Sequence, residues 1–350
     1  ALRDLQKFSI NIPSIICVGL PLALEDKLFN VAVIIKNGKI LGTVPKTYIP
    51  GYKEFYEERW FASGRDLEIK EIHLFGEMAP IGTDIIFNIS REPKITLGIE
   101  ICEDLWMPLP PSSFQALAGA NIILNLSASN ELVGKANYRR DLVSQQSARV
   151  LCAYVYSSCG VRESTTDVVF SGHAIIAENG SIVKESTRFQ YESQIIYGDI
   201  DIKHLNFDRQ KSTSFGEGSR ESNKKFRIIT LENFELPSIT FLEKEIAQRP
   251  FVPQDKSKKD EACKEIFNIQ SAGLAKRLES SHLEKIALGL SGGLDSTLAL
   301  LVAIKTFNDL GLSTKNINAF SLPGFGTSSR TRNNAEKLAK ILECSFEEIN

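Results

Sequence analysis

Residues 286–296 (IALGLSGGLDS) place glycines, serines and one aspartate where an apolar run changes into a helix-like pattern. Strand, glycine turn and helix start together form an anion site. Glycines let backbone N–H groups approach phosphate oxygens, and the helix N-terminus adds a favourable dipole. The Gly-Lys-Ser/Thr of a Walker A loop is missing from this stretch. The alternative interpretation is a tight strand–helix turn in which Asp295 is the N-cap.

A cysteine at a strand end is the second chemically distinctive feature. Residues 94–103 (KITLGIEICE) form an apolar pattern that leads to Cys102, at a turn of the kind where nucleophiles are displayed. A buried cysteine is more often simply a small hydrophobic residue. The acidic neighbours Glu103 and Asp104 disfavour a thiolate, so Cys102 needs a nearby cation to act as a nucleophile.

The candidate cation is Lys46, which lies in residues 44–50 (VPKTYIP). This lysine ends an apolar strand just before a proline turn. A solvated strand end is one interpretation, because a lysine stem can cover apolar surface while its charge stays in water. The other interpretation is a cation placed beside an anion that develops during a reaction.

Length and composition exclude several classes of function. The 350 residues suggest two domains, and the hydrophobic content of 43%, charged content of 24% and net charge of −2 are ordinary. This balance gives no indication of nucleic acid or membrane partners and fits small-molecule chemistry. Six scattered cysteines without a Cys-x-x-Cys pair predict a reducing cytoplasm, with neither a disulfide framework nor a zinc site. We identify no signal peptide and no apolar run of ~18 residues.

Apolar runs and turn signals predict the elements that position the cysteine and the lysine. Strands are predicted at 14–20, 28–36, 94–101, 121–128 and 151–158. The dipeptides at 37–38 and 179–180 are both Asn-Gly, which predicts hairpin turns. Paired strands with helices between them predict a two-sheet α/β sandwich.

The second half of the chain has a different pattern. The polar stretch 203–226 is predicted to be a linker or surface loop, and residues 249–259 (RPFVPQDKSKK) mark a domain boundary. A helix at 260–279 then leads into the strand at 286. Next come a helix, a strand at 317–322 and a helix at 329–342. This order predicts a parallel, doubly wound sheet with the glycine loop at the carboxyl end of its strand.

Many collinear motifs in the chain resemble known families. Ser-Gly-Gly-Xaa-Asp-Ser is the pattern of the ATP pyrophosphatase (PP-loop) family. Taken together, the motifs resemble the glutamine-dependent NAD(+) synthetase family; they are VPKTYIPGYKEFYEERWF, LGIEICEDLW, NLSASNELVGK, ESTTDVVFSGHAIIAENG, RPFVP, EIFNIQSAGLAKRLE, LGLSGGLDSTLAL and LPGFGTSSRTRNNAEKLAK.

The resemblance implies an α/β fold with two parts. Residues 1–202 would form a four-layer αββα nitrilase-like glutaminase, 203–259 a connecting segment, and 260–350 part of a doubly wound PP-loop domain. It also implies an ATP-dependent ligase that releases ammonia from glutamine. The ammonia would react with deamido-NAD(+) that ATP has adenylylated, and the products would be NAD(+), AMP and pyrophosphate.

The resemblance also implies roles for individual residues in the first part. Cys102 would attack the carboxamide carbon of glutamine, and Lys46 would stabilise the tetrahedral oxyanion. Glu54, eight residues after Lys46, would orient that lysine. The residues implied to hold glutamine are Tyr52, Glu103, Ser129 and Lys135.

In the second part, the resemblance assigns ATP binding to Gly289, Leu290, Ser291, Gly292, Gly293, Leu294, Asp295 and Ser296. Asp295 would also bind Mg²⁺, which prefers one or two carboxylates together with phosphate oxygens. Residues 320–322 would lie against the base, and 324–332 would form a mobile substrate loop. Arg330 and Arg332 would contact phosphate or lie in solvent.

The sequence departs from the family pattern at both ends. The general-base glutamate of the family precedes everything present here, and the rest of the synthetase domain would follow Asn350. We therefore expect this chain to be a fragment of a longer protein and to release ammonia only near background by itself. Related enzymes form large homo-oligomers, so the resemblance implies a homo-oligomer here.

Two other functions fit the same motifs. One is a PP-loop amidotransferase that acts on another carboxylate or on tRNA, although the near-neutral charge disfavours tRNA. The other is a non-catalytic chain that binds nucleotide or packs in an assembly.

Overall fold

The computed structural model describes residues 1–165, 167–231, 240–246, 248–253, 255–324 and 329–349, without the side chains of Arg91 and 329–331. The chain divides into two compact units, Ala1–Glu245 and Ile246–Asn350. The predicted connecting segment, 203–259, includes the point of division. None of the helices in the described ranges is long and apolar enough to cross a membrane.

The first unit contains both strands and helices, and its first seven strands all precede its second α-helix. Its strands are β1 (Ile16–Leu24), β2 (Lys27–Lys36), β3 (Lys39–Pro45), β4 (Glu71–Leu74), β5 (Glu77–Pro80), β6 (Ile85–Arg91), β7 (Lys94–Ile101), β8 (Ile122–Ser127), β9 (Ala153–Ser158), β10 (Ala174–Glu178), β11 (Ser181–Glu185) and β12 (Arg227–Thr230). Its helices are α1 (Leu2–Phe8), α2 (Pro111–Leu117), α3 (Lys135–Arg149), α4 (Ile202–Lys211) and α5 (Thr213–Glu221).

Two sheets form the centre of this unit. One is antiparallel, in the order β1-β2-β3. The other has the order β11-β10-β9-β8-β7-β6-β12, with β7, β8 and β9 parallel to one another. Since parallel strands end at the same edge, the residues that follow β7, β8 and β9 lie close together.

Side-chain alternation along the strands produces the layers. Buried residues of β2, such as Ile34, share a core with Leu97, Ile99 and other residues of β7. The opposite face of the larger sheet packs against α2 and α3, and the opposite face of the smaller sheet packs against α1. The α/β sandwich of two sheets between helices, as predicted, is confirmed.

Most of the polar stretch 203–226 lies in α4 and α5, so it is not the linker or loop that its composition suggests. Leu205 of α4 is fully buried in the core between the sheets. Arg209 donates to the carbonyl oxygens of Leu151, Ala120 and Val150 at 2.7–2.8 Å. One apolar face and one arginine thus anchor a helix whose composition is mostly polar.

Turn chemistry predicted one β-hairpin of the smaller sheet and missed the other. Asn37 and Gly38 both have positive φ, as expected for the turn between β2 and β3. Between β1 and β2, the same two-residue turn is made by Glu25 and Asp26, with φ of 52° and 60°. Glu-Asp is not a typical hairpin sequence, so the composition gave no signal there.

The second unit is built on a parallel sheet, as predicted. Its strands β13 (Ile286–Gly289), β14 (Ile317–Ser321) and β15 (Ser345–Glu348) pair in that order. Its helices are α6 (Lys256–Ser281), α7 (Leu294–Asp309) and α8 (Ser329–Ile341). Apolar residues of the three helices pack with β13 and β14 in one core.

Candidate active site

Cys102 follows the last residue of β7 and begins a short 3₁₀ turn, Cys102–Trp106. Its φ is +48°, in the left-handed region that non-glycine residues seldom adopt. Holding it there costs about 1–3 kcal/mol, which the surrounding structure must offset. The turn displays the half-buried cysteine at the wall of a cavity of about 550 Å³.

A buried hydrogen-bond chain supports this turn from behind. The Cys102 N–H donates to Asn125 Oδ1 at 3.3 Å, and Asn125 Nδ2 donates to the Tyr154 hydroxyl at 3.0 Å. Tyr154 in turn donates to Glu100, which also accepts the N–H of Ser112 at 2.8 Å. Burial raises the pKa of the Glu100 carboxyl. This series of hydrogen bonds connects β7, β8 and β9 beneath Cys102, the candidate nucleophile.

Two more cysteines, Cys17 and Cys159, line the same cavity. Burial raises the pKa of each of these thiols to about 12. The negative charge of Glu163 also raises the pKa of Cys159. Both are therefore held as neutral thiols near pH 7. The turn at the end of β7 distinguishes Cys102 from them.

Lys46 follows β3 and lines the cavity with only 2% of its side chain exposed. It is not the solvated strand end of the simpler interpretation. Its Nζ forms a hydrogen-bonded ion pair with the carboxylate of Glu57. Asn30 of β2 donates to the other oxygen of Glu57 at 2.8 Å. A buried ammonium needs such a partner, and this one fixes its direction as well.

The carboxylate that contacts Lys46 is therefore that of Glu57, whereas the family resemblance implied Glu54 in this place. Glu54 instead accepts a hydrogen bond from Asn130 Nδ2 at 2.7 Å. The two glutamates lie in one short segment, and Glu57 begins the 3₁₀ turn Glu57–Arg59. Spacing in sequence alone could not separate them.

Of the four residues predicted to hold glutamine, Glu103 lines the cavity itself, and Tyr52, Ser129 and Lys135 do not. Glu103 accepts a hydrogen bond from the Tyr52 hydroxyl at 2.8 Å. Burial and this hydrogen bond raise the pKa of Tyr52 to about 12. Lys135 donates to Asn130, the residue that also binds Glu54, and its Nζ lies 5.2 Å from the centre of the Trp106 ring. Burial lowers the pKa of Lys135.

Ser129 belongs to a buried ionic network rather than to the cavity lining. Its hydroxyl accepts from Nη2 of the fully buried Arg139 at 3.1 Å. Nη1 of that arginine lies 2.7 Å from Glu131 Oε1 and 2.8 Å from His173 Nδ1. Burial lowers the pKa of His173. The network fixes the loop that follows β8.

The glycine loop of the second unit is local and exposed. β13 ends at Gly289, Leu290 is buried, and Gly292 has φ of +79°. Gly293 is the N-cap of α7 and makes no side-chain cap, so Asp295 lies within the first helical turn. The interpretation of Asp295 as an N-cap is therefore wrong.

Side chains in this loop contact one another. The Ser291 and Ser296 hydroxyls lie 3.1 Å apart, and the Gly293 N–H donates to Ser291 Oγ at 3.3 Å. The first-turn N–H groups of α7 have no acceptor within the helix, as in every α-helix, and they face the loop. This arrangement, with Leu294 and Asp295 exposed, can accept an anion from solvent.

The other residues that the resemblance assigns to nucleotide or substrate binding lie in β14 and α8 and in the segment between them. Phe320 lies in β14, and Leu322 is 66% exposed. Arg332 is paired with Glu348 at 2.6 Å. Residues 325–328 and the side chain of Arg330 lie outside the described residues, so the predicted substrate loop is described only in part.

Two family models match this chain, one within each of its two compact units. The carbon-nitrogen hydrolase family model matches residues 2–210, and the NAD synthase family model matches residues 266–350. A glutamine-dependent NAD(+) synthetase from Mycobacterium bovis is 41% identical over 353 residues, covering 100% of this chain and 52% of the relative. One from Thermotoga maritima is 28% identical, covering 91% of this chain and 48% of that relative.

A solved structure of a glutamine-dependent NAD(+) synthetase from Cytophaga hutchinsonii is 19% identical, with a TM-score of 0.48, covering 99% of this chain and 55% of that one. The chain thus spans about half the length of the curated relatives it matches.

Proposed function

The chain belongs to the carbon-nitrogen hydrolase family, and we propose that the protein carrying it is a glutamine-hydrolysing NAD(+) synthase. One observation carries this proposal. A cavity with a displayed cysteine and a partnered buried lysine occurs in the same chain as a glycine loop at a helix N-terminus. The first supports amide hydrolysis and the second supports binding of a phosphate group.

In the glutaminase step, the Sγ of Cys102 attacks the carboxamide carbon of glutamine. The tetrahedral oxyanion forms near the ammonium of Lys46, which Glu57 and Asn30 hold in place before the reaction. Such fixed charge is effective because it requires no reorganisation as the oxyanion develops. The C–N bond then breaks and the leaving nitrogen takes the proton lost by the Cys102 thiol, so that ammonia departs. Water hydrolyses the γ-glutamyl thioester to glutamate and restores the Cys102 thiol.

The residues around the cavity orient glutamine. Glu103, fixed by Tyr52, provides a carboxylate for the substrate amino group. Lys135 provides a cation for the substrate carboxylate, and Ser129 holds the adjoining loop through Arg139. Glu54 acts on this side of the cavity through Asn130.

In the synthetase step, the loop from Gly289 to Ser296 holds the pyrophosphate part of ATP through backbone N–H groups. The nicotinate carboxylate of deamido-NAD(+) attacks the α-phosphorus and pyrophosphate leaves. Ammonia then displaces AMP to give NAD(+). Asp295 offers one exposed carboxylate, which fits a Mg²⁺ ion that phosphate oxygens and water also bind.

Two finer points belong to the same proposal. All six cysteines are free thiols in the structure, which supports a reducing, cytoplasmic location. A homo-oligomer is proposed from the resemblance alone, and measuring the mass of the complete protein in solution tests it.

The central experiment follows NAD(+) formation by the complete protein from deamido-NAD(+), ATP and either glutamine or ammonia. Cys102→Ala is expected to abolish glutamine-driven synthesis and to leave ammonia-driven synthesis unchanged. Cys159→Ala, which removes another thiol from the same cavity, is the matched control and is expected to keep both activities. Glutamine-driven synthesis that survives in Cys102→Ala would overturn the role of that cysteine.

The main competing function is a PP-loop amidotransferase with another acceptor. The net charge of −2 favours a small acceptor over tRNA. Binding of deamido-NAD(+) but not of tRNA by the complete protein separates the two functions.

A further inference from the structure

Asp104 makes contacts that the proposed reaction does not yet explain. Its side chain is 1% exposed and lies two residues after Cys102. Oδ2 accepts the backbone N–H of Ile101 at 2.9 Å, the residue just before the nucleophile. Oδ1 accepts the backbone N–H groups of Thr47 at 3.2 Å and Tyr48 at 2.8 Å, the two residues just after Lys46.

This pattern exceeds what a local cap requires. The bond to Ile101 alone would cap the 3₁₀ turn, since its donor is three residues away. The other two donors are 56 and 57 residues away in sequence, at the end of β3 in the other sheet. Burying a carboxylate is costly unless its oxygens are satisfied. Here bonds that connect the ends of two sheets offset part of that cost.

We propose that Asp104 is a positioning residue that clamps the Lys46 segment to the Cys102 turn and so sets the separation between the thiol and the ammonium. This inference rests on the proposed glutaminase reaction. Asp104 would act through the backbone next to the reacting groups. In the described hydrogen bonds it contacts neither Cys102 nor Lys46 itself. A displacement of about 1 Å at such a site can reduce the rate about a hundredfold.

The protonation state of the clamp matters for its geometry. Burial, together with the negative charge of Glu100, raises the pKa of Asp104 to about 7, against the opposing hydrogen bonds and the charge of Lys46. The charged groups that act on it are Glu100 on β7, which raises its pKa, and Lys46 after β3, which lowers it. Protonation puts an O–H against a backbone N–H, and so loosens the clamp.

The effects on activity and on stability have opposite signs. The folded pKa lies above the unfolded value of about 3.9, so the folded state takes up a proton between these values. The contribution of Asp104 to stability is therefore full below pH ~4 and is lost as the pH rises through about 7. Activity requires the ionised Asp104 carboxylate, which forms as the pH rises through about 7.

Asp104→Asn in the complete protein tests the clamp, because an amide keeps the size but cannot accept on both atoms. We expect kcat for ammonia release from glutamine to fall about a hundredfold with KM changed less than threefold. We also expect ammonia-driven NAD(+) synthesis to stay unchanged and the acid limb of the wild-type pH profile near pH 7 to disappear. Glu178→Gln, another buried carboxylate that accepts a backbone N–H at 2.8 Å, is the matched control.

A folded Asp104→Asn protein with kcat within threefold of wild type would overturn the clamp. If this variant does not fold, the wild-type profile decides: a flat kcat for ammonia release between pH 6 and 8 contradicts the proposal. The rate of Cys102 alkylation by iodoacetamide, read by peptide mass spectrometry, gives a test without glutamine and is expected to fall in Asp104→Asn. A wild-type protein that releases no ammonia defeats the proposed function, whereas unchanged alkylation in the variant defeats the clamp.

Discussion

The cavity at Cys102 and the glycine loop at α7 are built in opposite ways. The first collects side chains from β1, β2, β7, β8 and β9 and from the segments that follow β3 and β7. Of its charged members, Lys46 is 2% and Glu103 8% exposed, and Glu57, at 19%, is the partner of Lys46. The second occupies one continuous segment, and most of its residues are exposed. A buried site must provide a partner for every charge it contains, while an exposed loop leaves that task to water and ligand.

This difference predicts unequal sensitivity to substitution. In the cavity, each polar group is the partner of another, so removing one displaces several. In the loop, the groups proposed to bind ligand are mainly backbone N–H groups, which side-chain changes cannot remove. Three substitutions, ordered by expected effect, test this comparison.

The largest effect is expected for Glu57→Gln, which places an amide N–H₂ against the ammonium of Lys46. Because the lysine loses its buried partner and its direction, kcat for glutamine-driven synthesis should fall about a hundredfold, as when an oxyanion-stabilising donor is lost. Glu54→Gln is the control, since its amide oxygen still accepts from Asn130. Steady-state kinetics with glutamine and with ammonia make the measurement. A larger fall in kcat in Glu54→Gln than in Glu57→Gln would show that Glu54, not Glu57, orients the lysine.

An intermediate effect, about tenfold in kcat, is expected for Asn125→Ala. The change removes the acceptor of the Cys102 N–H and leaves a strained turn less constrained. Asn121→Ala is the matched control because Asn121 is equally buried and accepts the Thr96 N–H at 2.9 Å, away from the cavity. Both variants should lose stability in thermal unfolding, but only Asn125→Ala should lose kcat. Equal kinetics in the two would remove Asn125 from the site.

The smallest effect is expected for Gly292→Ala. An alanine at φ of +79° costs about 1 kcal/mol, so KM for ATP in ammonia-driven synthesis should rise about fivefold. Gly311→Ala is the control: it has φ of +68°, lies just after α7, and has no atom within 4 Å of an added Cβ. An ATP KM that rises equally in both variants would show backbone strain alone. A fold-increase in the ATP KM of Gly292→Ala that exceeds the fold-decrease in kcat of Glu57→Gln would reverse the expected order.

The sequence predicted the elements that carry both regions and missed two helices elsewhere in the first unit. The order β13, α7, β14, α8 and the place of the glycine turn were predicted, because strand, turn and helix signals are local. The strands of the sandwich that lead to Cys102 and Lys46 were predicted for the same reason. The helices at 202–221 were not, because their stability comes from Leu205 and Arg209 packing against distant strands.

The sequence by itself determined the chemistry available: a cysteine after a buried strand, a lysine before a proline turn and a glycine-rich turn before a helix. Only the tertiary structure decided which groups act on one another. It placed Glu57 rather than Glu54 on Lys46, and it put Asp104 and Asn125 behind Cys102. The physical reason is that residue type and spacing fix local backbone structure, whereas partners for buried charges come from segments that meet only when the two sheets pack.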